Sequence, residues 1–174
     1  MTDFFATIRR RHSVRRYQAD MAVETEKLHA ILESAIAAPS AGDLQAYQIV
    51  VVRAAETRRK LADVTDHAFL AEAPVCLVFC TDAERSAQTF GERGRELFAL
   101  QDTTIAAAYA QLAAVAGGLG SAWVGGFVTP DVAATLGLEA HLAPVAMLAL
   151  GYAAELPEPT TRRRLDEIVV EHDA

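Results

Sequence analysis

The chain has 174 residues, a formal net charge of −7 and 52% hydrophobic residues, which fits one ordinary folded domain and argues against disorder. The acidic total disfavours nucleic acid as the partner, because that function usually needs a broadly basic surface. No apolar run is long enough to span a membrane, and residues 1–20 are too charged for a signal peptide. We therefore expect a cytoplasmic protein.

The first half of the chain alternates irregularly between helices and strands. Apolar residues at helical spacing predict a helix over residues 2–10, capped by Thr2 or Asp3, and a second over 25–37, which Pro39 ends. The segments that follow are predicted as a buried strand at 48–52, a polar helix at 55–65, a strand at 75–80 and a polar helix at 83–99, weakened by Gly91 and Gly94.

The second half begins with an alanine-rich helix, predicted at 104–116, that is apolar all round. In a chain this small, such a helix either crosses the core or packs against a second copy. A strand at 122–128 interrupted by two glycines, a helix at 130–136 and a strand at 145–150 follow. From Ala153 onward the composition predicts an extended arm, which must pack against another surface to be ordered. Periodicity alone gives an α+β or α/β fold, with four or five strands in one sheet and helices on both faces.

Several common catalytic motifs are missing from the sequence. Gly118-Leu119-Gly120 follows a helix, so it does not match the dinucleotide fingerprint, and there is no P-loop or nucleophile elbow. The five histidines are scattered, which predicts no metal site. Cys76 and Cys80 lack a metal or redox spacing and are predicted to be buried thiols. If the protein is an enzyme, we expect a cofactor to supply the chemistry.

Two arginine clusters stand out against the acidic background, at residues 9–16 and 162–164. A phosphate monoester carries about −1.5 to −2 charges at neutral pH, and arginine side chains bind its oxygens in pairs. Both clusters could therefore converge on one phosphate. The alternative is that Arg9, Arg10 and Arg16 are simply solvated, since positive charge is favourable at a helix C-terminus.

Four motifs in the same order resemble those of the FMN-dependent nitroreductases, in their short-chain branch. They are Arg11-His12-Ser13-Val14-Arg15, the segment Ala38 to Tyr47 with Pro39-Ser40-Ala41-Gly42-Asp43 inside it, Gly118 to Phe127, and Arg162 to Glu167. The resemblance covers nearly the whole chain and implies an α+β fold with a mostly antiparallel, four- to five-stranded sheet flanked by helices. It also implies one domain over residues 1–174, whose arm at about 153–174 is exchanged with the partner in a homodimer.

The resemblance further implies an FMN-dependent oxidoreductase that passes hydride from NADH or NADPH through flavin N5 to a nitroaromatic, a quinone or a similar small acceptor, by a ping-pong mechanism. FMN would lie at the dimer interface. Two alternatives stay open: a flavin- or nucleotide-binding module without turnover, and a specialised flavin enzyme of the same fold, either a dehalogenase or a flavin-destroying enzyme. The region 82–102, which often covers the substrate in the family, is expected to be short here.

Site roles carried over from the family fall into three groups. Arg11, Ser13 and Arg15 would bind the phosphate, with His12 close to the ring or the ribityl chain, and no protein side chain is expected to act as the catalytic residue. The remaining candidates are Arg162 and Arg164 at the phosphate, Asp43 and Gln45 at the ring edge or ribityl chain, and Gly125 with its N–H toward N5, flanked by Val124 and Gly126. Without the resemblance, the two glycines could mark only a β-bulge.

This sequence departs from the family pattern at three places. Asp43 stands where the family has asparagine, and a carboxylate cannot donate a hydrogen bond to a flavin carbonyl but can accept one from N3–H. Ala46-Tyr47 replaces Pro-Trp, and Arg164 replaces proline. These changes put the ring-edge contact and the pairing of the tail arginines in question.

Overall fold

A computed structural model of the chain describes residues 3–172. Its centre is a four-stranded antiparallel sheet in the order β1-β2-β4-β3. The strands are β1 (Tyr47–Val52), β2 (Val75–Asp82), β3 (Gly120–Val124) and β4 (Leu142–Gly151). The expected antiparallel sheet flanked by helices is therefore confirmed.

Seven α-helices surround the sheet in the described part of the chain. They are α1 (Phe4–Arg10), α2 (Thr25–Ile36), α3 (Ala55–Thr65), α4 (Phe69–Glu72), α5 (Ala83–Arg93), α6 (Ala99–Ala116) and α7 (Thr129–Leu136). The Asp3 carboxylate accepts a hydrogen bond from the Phe5 N–H at 3.1 Å and so caps α1, while Thr2 lies outside the described residues. The short helix α4 was not predicted from the sequence.

Helices cover both faces of the sheet, as periodicity predicted. The side chains of β2 alternate between two cores because successive residues of a strand point to opposite faces. Leu77 and Phe79 pack with α2 and α6, whereas Val78 packs on the opposite face with residues of α3, α4 and α7. The central strand is thus buried on both faces, which explains its unbroken apolar sequence.

Both cysteines lie in β2 and are buried, as predicted. Burial raises the pKa of the Cys76 thiol to about 12 and that of the Cys80 thiol to about 11, so neither is an activated nucleophile.

The predicted helix at 83–99 is wrong in its C-terminal part. Gly91 adopts φ +58°, a conformation that other residues avoid, and this breaks the helix near its end. A single π-helical turn over residues 94–98 then leads directly into α6, which begins five residues earlier than predicted. The sequence pattern missed this because the two glycines weaken a helix without specifying the new direction.

One close approach in the fold depends on a glycine. A Cβ on Gly151 would lie 2.5 Å from Pro74 Cδ and 2.9 Å from Tyr17 Cδ1. Because the proline ring is fixed by its backbone, we expect Gly151→Ala to lower the free energy of unfolding by about 1–3 kcal/mol, measured by urea denaturation. Gly126→Ala is the matched control, since a Cβ there meets no atom within 4 Å. Equal stability of the two variants would contradict the close packing.

Candidate functional site

The N-terminal arginine segment runs beside the edge strand β3. Ser13 forms a parallel bridge with Ser121, and the Val14 N–H donates to the Ser121 carbonyl at 2.9 Å. Val14 is buried in the core and so anchors the segment. In an extended chain, residues 11, 13 and 15 are expected to lie on the same side. The three phosphate candidates thus stand at alternate positions of one segment that Val14 and Tyr17 anchor in the core.

His12 points away from this group. Together with Val14 and Gly120 it lines a small cavity of about 160 Å³. A Cβ on Gly120 would lie only 2.8 Å from a Val14 methyl, so the glycine allows the arginine segment to approach β3 closely. Arg15 is exposed, and its guanidinium lies 5.9 Å from the ring centre of Phe69.

The glycine pair Gly125-Gly126 directly follows β3, so the predicted strand at 122–128 ends earlier than expected. Both glycines are exposed, whereas Val124 before them is buried. Gly125 follows Ser121 by four residues, so the arginine segment and the glycine pair lie on the same edge of the sheet. The backbone after β3 is thus open to a flat ligand, and nearby positive groups are available for its anionic end.

The loop at residues 40–45 has an unusual backbone. Gly42, Asp43 and Gln45 all adopt left-handed conformations, with φ of +57°, +56° and +45°. Such conformations cost roughly 1–3 kcal/mol each for residues other than glycine, and they persist only when the surroundings enforce them. Two hydrogen bonds within the loop also stabilise it: Gln45 Nε2 donates to Asp43 Oδ1 at 2.7 Å, and the Gln45 N–H donates to Ser40 Oγ at 3.0 Å. The two ring-edge candidates are therefore hydrogen-bonded to each other.

Three residues outside the loop hold it in place, and sequence reasoning missed all of them. The Ala41 N–H donates to Asp102 Oδ1 at 2.9 Å, and Arg85 Nε donates to the Leu44 carbonyl at 2.7 Å. Phe90 packs against Gly42, where a Cβ would lie 2.9 Å from the ring. Asp102 offered one signal, since it is the only charged residue in α6.

Within one chain, the candidates of the loop at 40–45 lie apart from the glycine pair Gly125-Gly126 and the arginine segment. The loop precedes β1 and the glycine pair follows β3, and these are the opposite edges of the sheet. Both lie at the same end of the sheet. Tyr47, just after the loop, pairs with Thr81, which pairs with Ala143 at the start of β4. The strand β3 runs antiparallel to β4, so β3 ends toward this same start of β4. Three strand spacings of about 4.8 Å separate the edges, which gives roughly 14 Å.

The arm is attached to the fold only at its beginning. Ala153 forms an antiparallel bridge with Tyr17, and the Ala154 N–H donates to the Arg16 carbonyl at 2.9 Å. Residues 158–172 are all exposed. Arg162 donates only to Thr160 and Thr161, and Arg164 bonds Asp166 at 2.8 Å. The tail arginines Arg162 and Arg164 thus bond only to neighbours within the arm in the described part of the chain.

Large apolar side chains are left exposed on α1, on α6 and in the arm. Phe4 and Phe5 are 61% and 65% exposed, and Tyr109 is 42% exposed. The same is true of Ile8, Leu100, Ile105, Leu165, Ile168, Val169 and Val170. The expectation that α6 is buried on most sides does not hold within one chain, because only the face toward the sheet and α2 is covered. An apolar surface of this extent is typical of an interface.

A wide cavity of about 690 Å³ lies between the loop and the start of α6. Its walls include Pro39, Ala41, Phe98, Leu100 and Ile105, with polar groups from Gln101 and Thr104. A mostly apolar wall with a few polar groups suits a small organic molecule.

Residues 3–172 contain neither a cluster of metal-ligating side chains nor a helix suited to span a membrane. No group of three or more potential ligands from histidine, cysteine, aspartate and glutamate occurs there. No described helix combines the length and the apolar character needed to cross a bilayer.

The structure thus defines an α+β protein in which an arginine-bearing segment and the exposed backbone after β3 share one sheet edge. The model of the nitroreductase family matches residues 8–67 and 63–152. The chain belongs to the nitroreductase family.

Known relatives cover most of the chain. An NADH dehydrogenase from Thermus thermophilus is 36% identical over 189 residues, which cover 92% of each chain. An FMN reductase (NADPH) from Bacillus subtilis is 29% identical and covers 90% of this chain and 68% of its own. The solved structure of an NADPH:FMN oxidoreductase from Vibrio harveyi, complexed with NAD+, is 29% identical with a TM-score of 0.88, and it matches 98% of this chain and 77% of its own.

Proposed function

We propose that the protein is an FMN-dependent NAD(P)H oxidoreductase whose acceptor is a nitroaromatic, a quinone or a similar small molecule. The observation that carries this function is the arginine segment on the same sheet edge as the exposed Gly125-Gly126 backbone. Family membership and the names of its relatives, which include an FMN reductase and an NADPH:FMN oxidoreductase, support it.

The residues present fit FMN by their chemistry. Arg11, Ser13 and Arg15 offer guanidinium and hydroxyl donors on one side of an extended segment, which suits a phosphate group. Gly125 and Gly126 carry no side chain, and with Val124 they offer backbone N–H groups to a ring. A Cβ on Gly125 would lie 3.2 Å from Trp123 Nε1, whereas the space at Gly126 is open. His12, on the other side of the segment, is the candidate for the ribityl end.

The chemistry that FMN supplies when bound is hydride transfer, from NADH or NADPH to the acceptor, in two half-reactions that give ping-pong kinetics. The role of the protein residues is to bind and orient the cofactor. The arginines would neutralise the phosphate, and the Gly125 N–H would stabilise negative charge on the ring. The loop would supply Asp43 and Gln45 at the ring edge, where the Asp43 carboxylate could accept a hydrogen bond from an N–H of the ring.

We further propose that two copies of the chain build each site. The loop and the glycine pair lie on opposite sheet edges, so a ring contacted by both takes the loop from one chain and the strand edge from the other. The exposed apolar side chains of α1 and α6 provide the dimer surface. The arm, at about 153–174, then lies on the partner and brings Arg162 and Arg164 to a phosphate that its own chain does not reach.

The first experiment is the visible absorption spectrum of the purified protein, followed by identification of the released chromophore and by NAD(P)H oxidation with menadione. We expect two flavin bands, FMN at about one molecule per chain, and parallel lines in double-reciprocal plots. A protein that binds FMN but does not turn over would be a binding module instead. A colourless protein that takes up no FMN would overturn the proposal.

A further inference from the structure

The carboxylate of Asp102 is buried beneath the loop at residues 40–45. The residue is 3% exposed and is the only charged residue in α6. Its Oδ1 accepts a hydrogen bond from the Ala41 N–H at 2.9 Å, while its Oδ2 has no partner among the described residues. Burial raises the pKa of the Asp102 carboxyl, and the Ala41 N–H opposes this rise. A buried carboxylate with one hydrogen bond is costly, so it needs a compensating role.

Asp102 binds the loop near its start, and a second buried polar group lies just after the loop. Ala41 is the second residue of the loop, and Tyr47 is the first residue of β1 just after it. The Tyr47 hydroxyl is also buried and has no partner among the described residues. Burial and, second, the negative charge of Asp102 raise the pKa of Tyr47.

The loop needs an external restraint. Asp43 and Gln45 both have positive φ, and the mutual hydrogen bond of their side chains does not fix the loop relative to the sheet. Apart from Asp102, the contacts that hold it come from α5: the exposed Arg85 bond to the Leu44 carbonyl and the packing of Phe90 on Gly42. Of the two hydrogen bonds, the one to Asp102 is the better shielded from water, and shielding strengthens a charge-assisted bond.

We propose that Asp102 is a positioning residue, whose carboxylate holds the loop through the Ala41 N–H and so fixes where Asp43 and Gln45 meet the cofactor. The proposal rests on the proposed function for its last step, since only an FMN-binding protein uses the loop in this way. In this proposal Asp102 acts through the backbone of the loop, at the Ala41 N–H, and not by direct contact with the cofactor.

Two measurements test this role in parallel. Hydrogen exchange of the amides at 40–45 in flavin-free protein reports the loop itself, and the Kd for FMN, from quenching of flavin fluorescence, reports its consequence. We expect Asp102→Ala to speed exchange of these amides about tenfold or more and to raise the Kd about tenfold. Asp102→Asn should stay within about threefold of wild type in both, because its side-chain carbonyl still accepts from Ala41.

The matched control is Thr103→Val, which removes the neighbouring buried hydroxyl that bonds only the Ala99 carbonyl of its own helix. It should leave both readouts unchanged even if stability falls. Ala41→Pro serves as a second variant if Asp102→Ala does not fold, since it removes the donor and keeps the carboxylate. The extended conformation of Ser40, with ψ 157°, allows a following proline.

Slow exchange and unchanged affinity in Asp102→Ala would overturn the proposal, as would an Asn variant as impaired as the Ala variant. Fast exchange with unchanged FMN affinity would also overturn it, because the loop would then not position the cofactor. Failure of the proposed function looks different: wild type itself would take up no FMN, while the exchange of the loop amides would still depend on Asp102.

Discussion

Arg11→Ala is expected to weaken FMN binding by about tenfold to a hundredfold and to leave riboflavin binding unchanged. The size follows from the loss of one charge-assisted bond to the phosphate, which contributes about 1.5–3 kcal/mol. Riboflavin lacks the phosphate, so its affinity reports the ring and ribityl contacts alone. Titration of the flavin-free protein with each compound, followed by fluorescence, measures both constants.

Arg9→Ala is the matched control for the loss of one positive charge in Arg11→Ala. Arg9 is exposed in the last turn of α1, where its positive charge interacts favourably with the helix dipole. It lies before the extended segment that carries Arg11. Its removal should change FMN affinity less than threefold at moderate salt. An equal loss in both variants would mean that the arginines act only through general charge. An equal loss of riboflavin affinity in Arg11→Ala would place Arg11 away from the phosphate.

Mixing two inactive variants is expected to restore activity if the site is shared between chains. Gly42→Val disrupts the loop, because a β-branched residue at φ +57° is strained and its Cβ would lie 2.9 Å from Phe90. Gly125→Val blocks the approach of a ring to the strand edge. A mixed dimer carries both defects in one site and none in the other. The isolated mixed dimer then has about one half of wild-type activity, and an unfractionated random mixture has about one quarter.

The mixture is prepared by co-expression of the two chains with different tags, and dimers that carry both tags are isolated. Each variant alone should form a folded dimer with little or no turnover. A mixed dimer without activity would show that each site lies within a single chain, or that the ring does not contact both the loop and the glycine pair. Size-exclusion chromatography and circular dichroism separate this result from misfolding.

Local sequence patterns predicted most of the helices and strands and their buried faces, because these features depend mainly on residues that are neighbours in sequence. The apolar run of β2 and the spacing of α2 are direct consequences of which faces are buried. The lengths of β3 and α6 were less accurate, because strand pairing ends β3 after Val124 and a π-helical turn starts α6 at Ala99. Such boundaries depend on tertiary contacts that no single segment contains.

The sequence by itself determined the family, through four motifs in order, and from that resemblance it predicted Arg11, Ser13 and Arg15 as the phosphate candidates. Only the tertiary structure decided that Asp43 and Gly125 lie on opposite edges of the sheet, since strand order is a property of the folded chain. It also revealed Asp102 beneath the loop, 61 residues from the amide that it binds. Contacts between distant segments are set by packing, and local sequence patterns do not encode them.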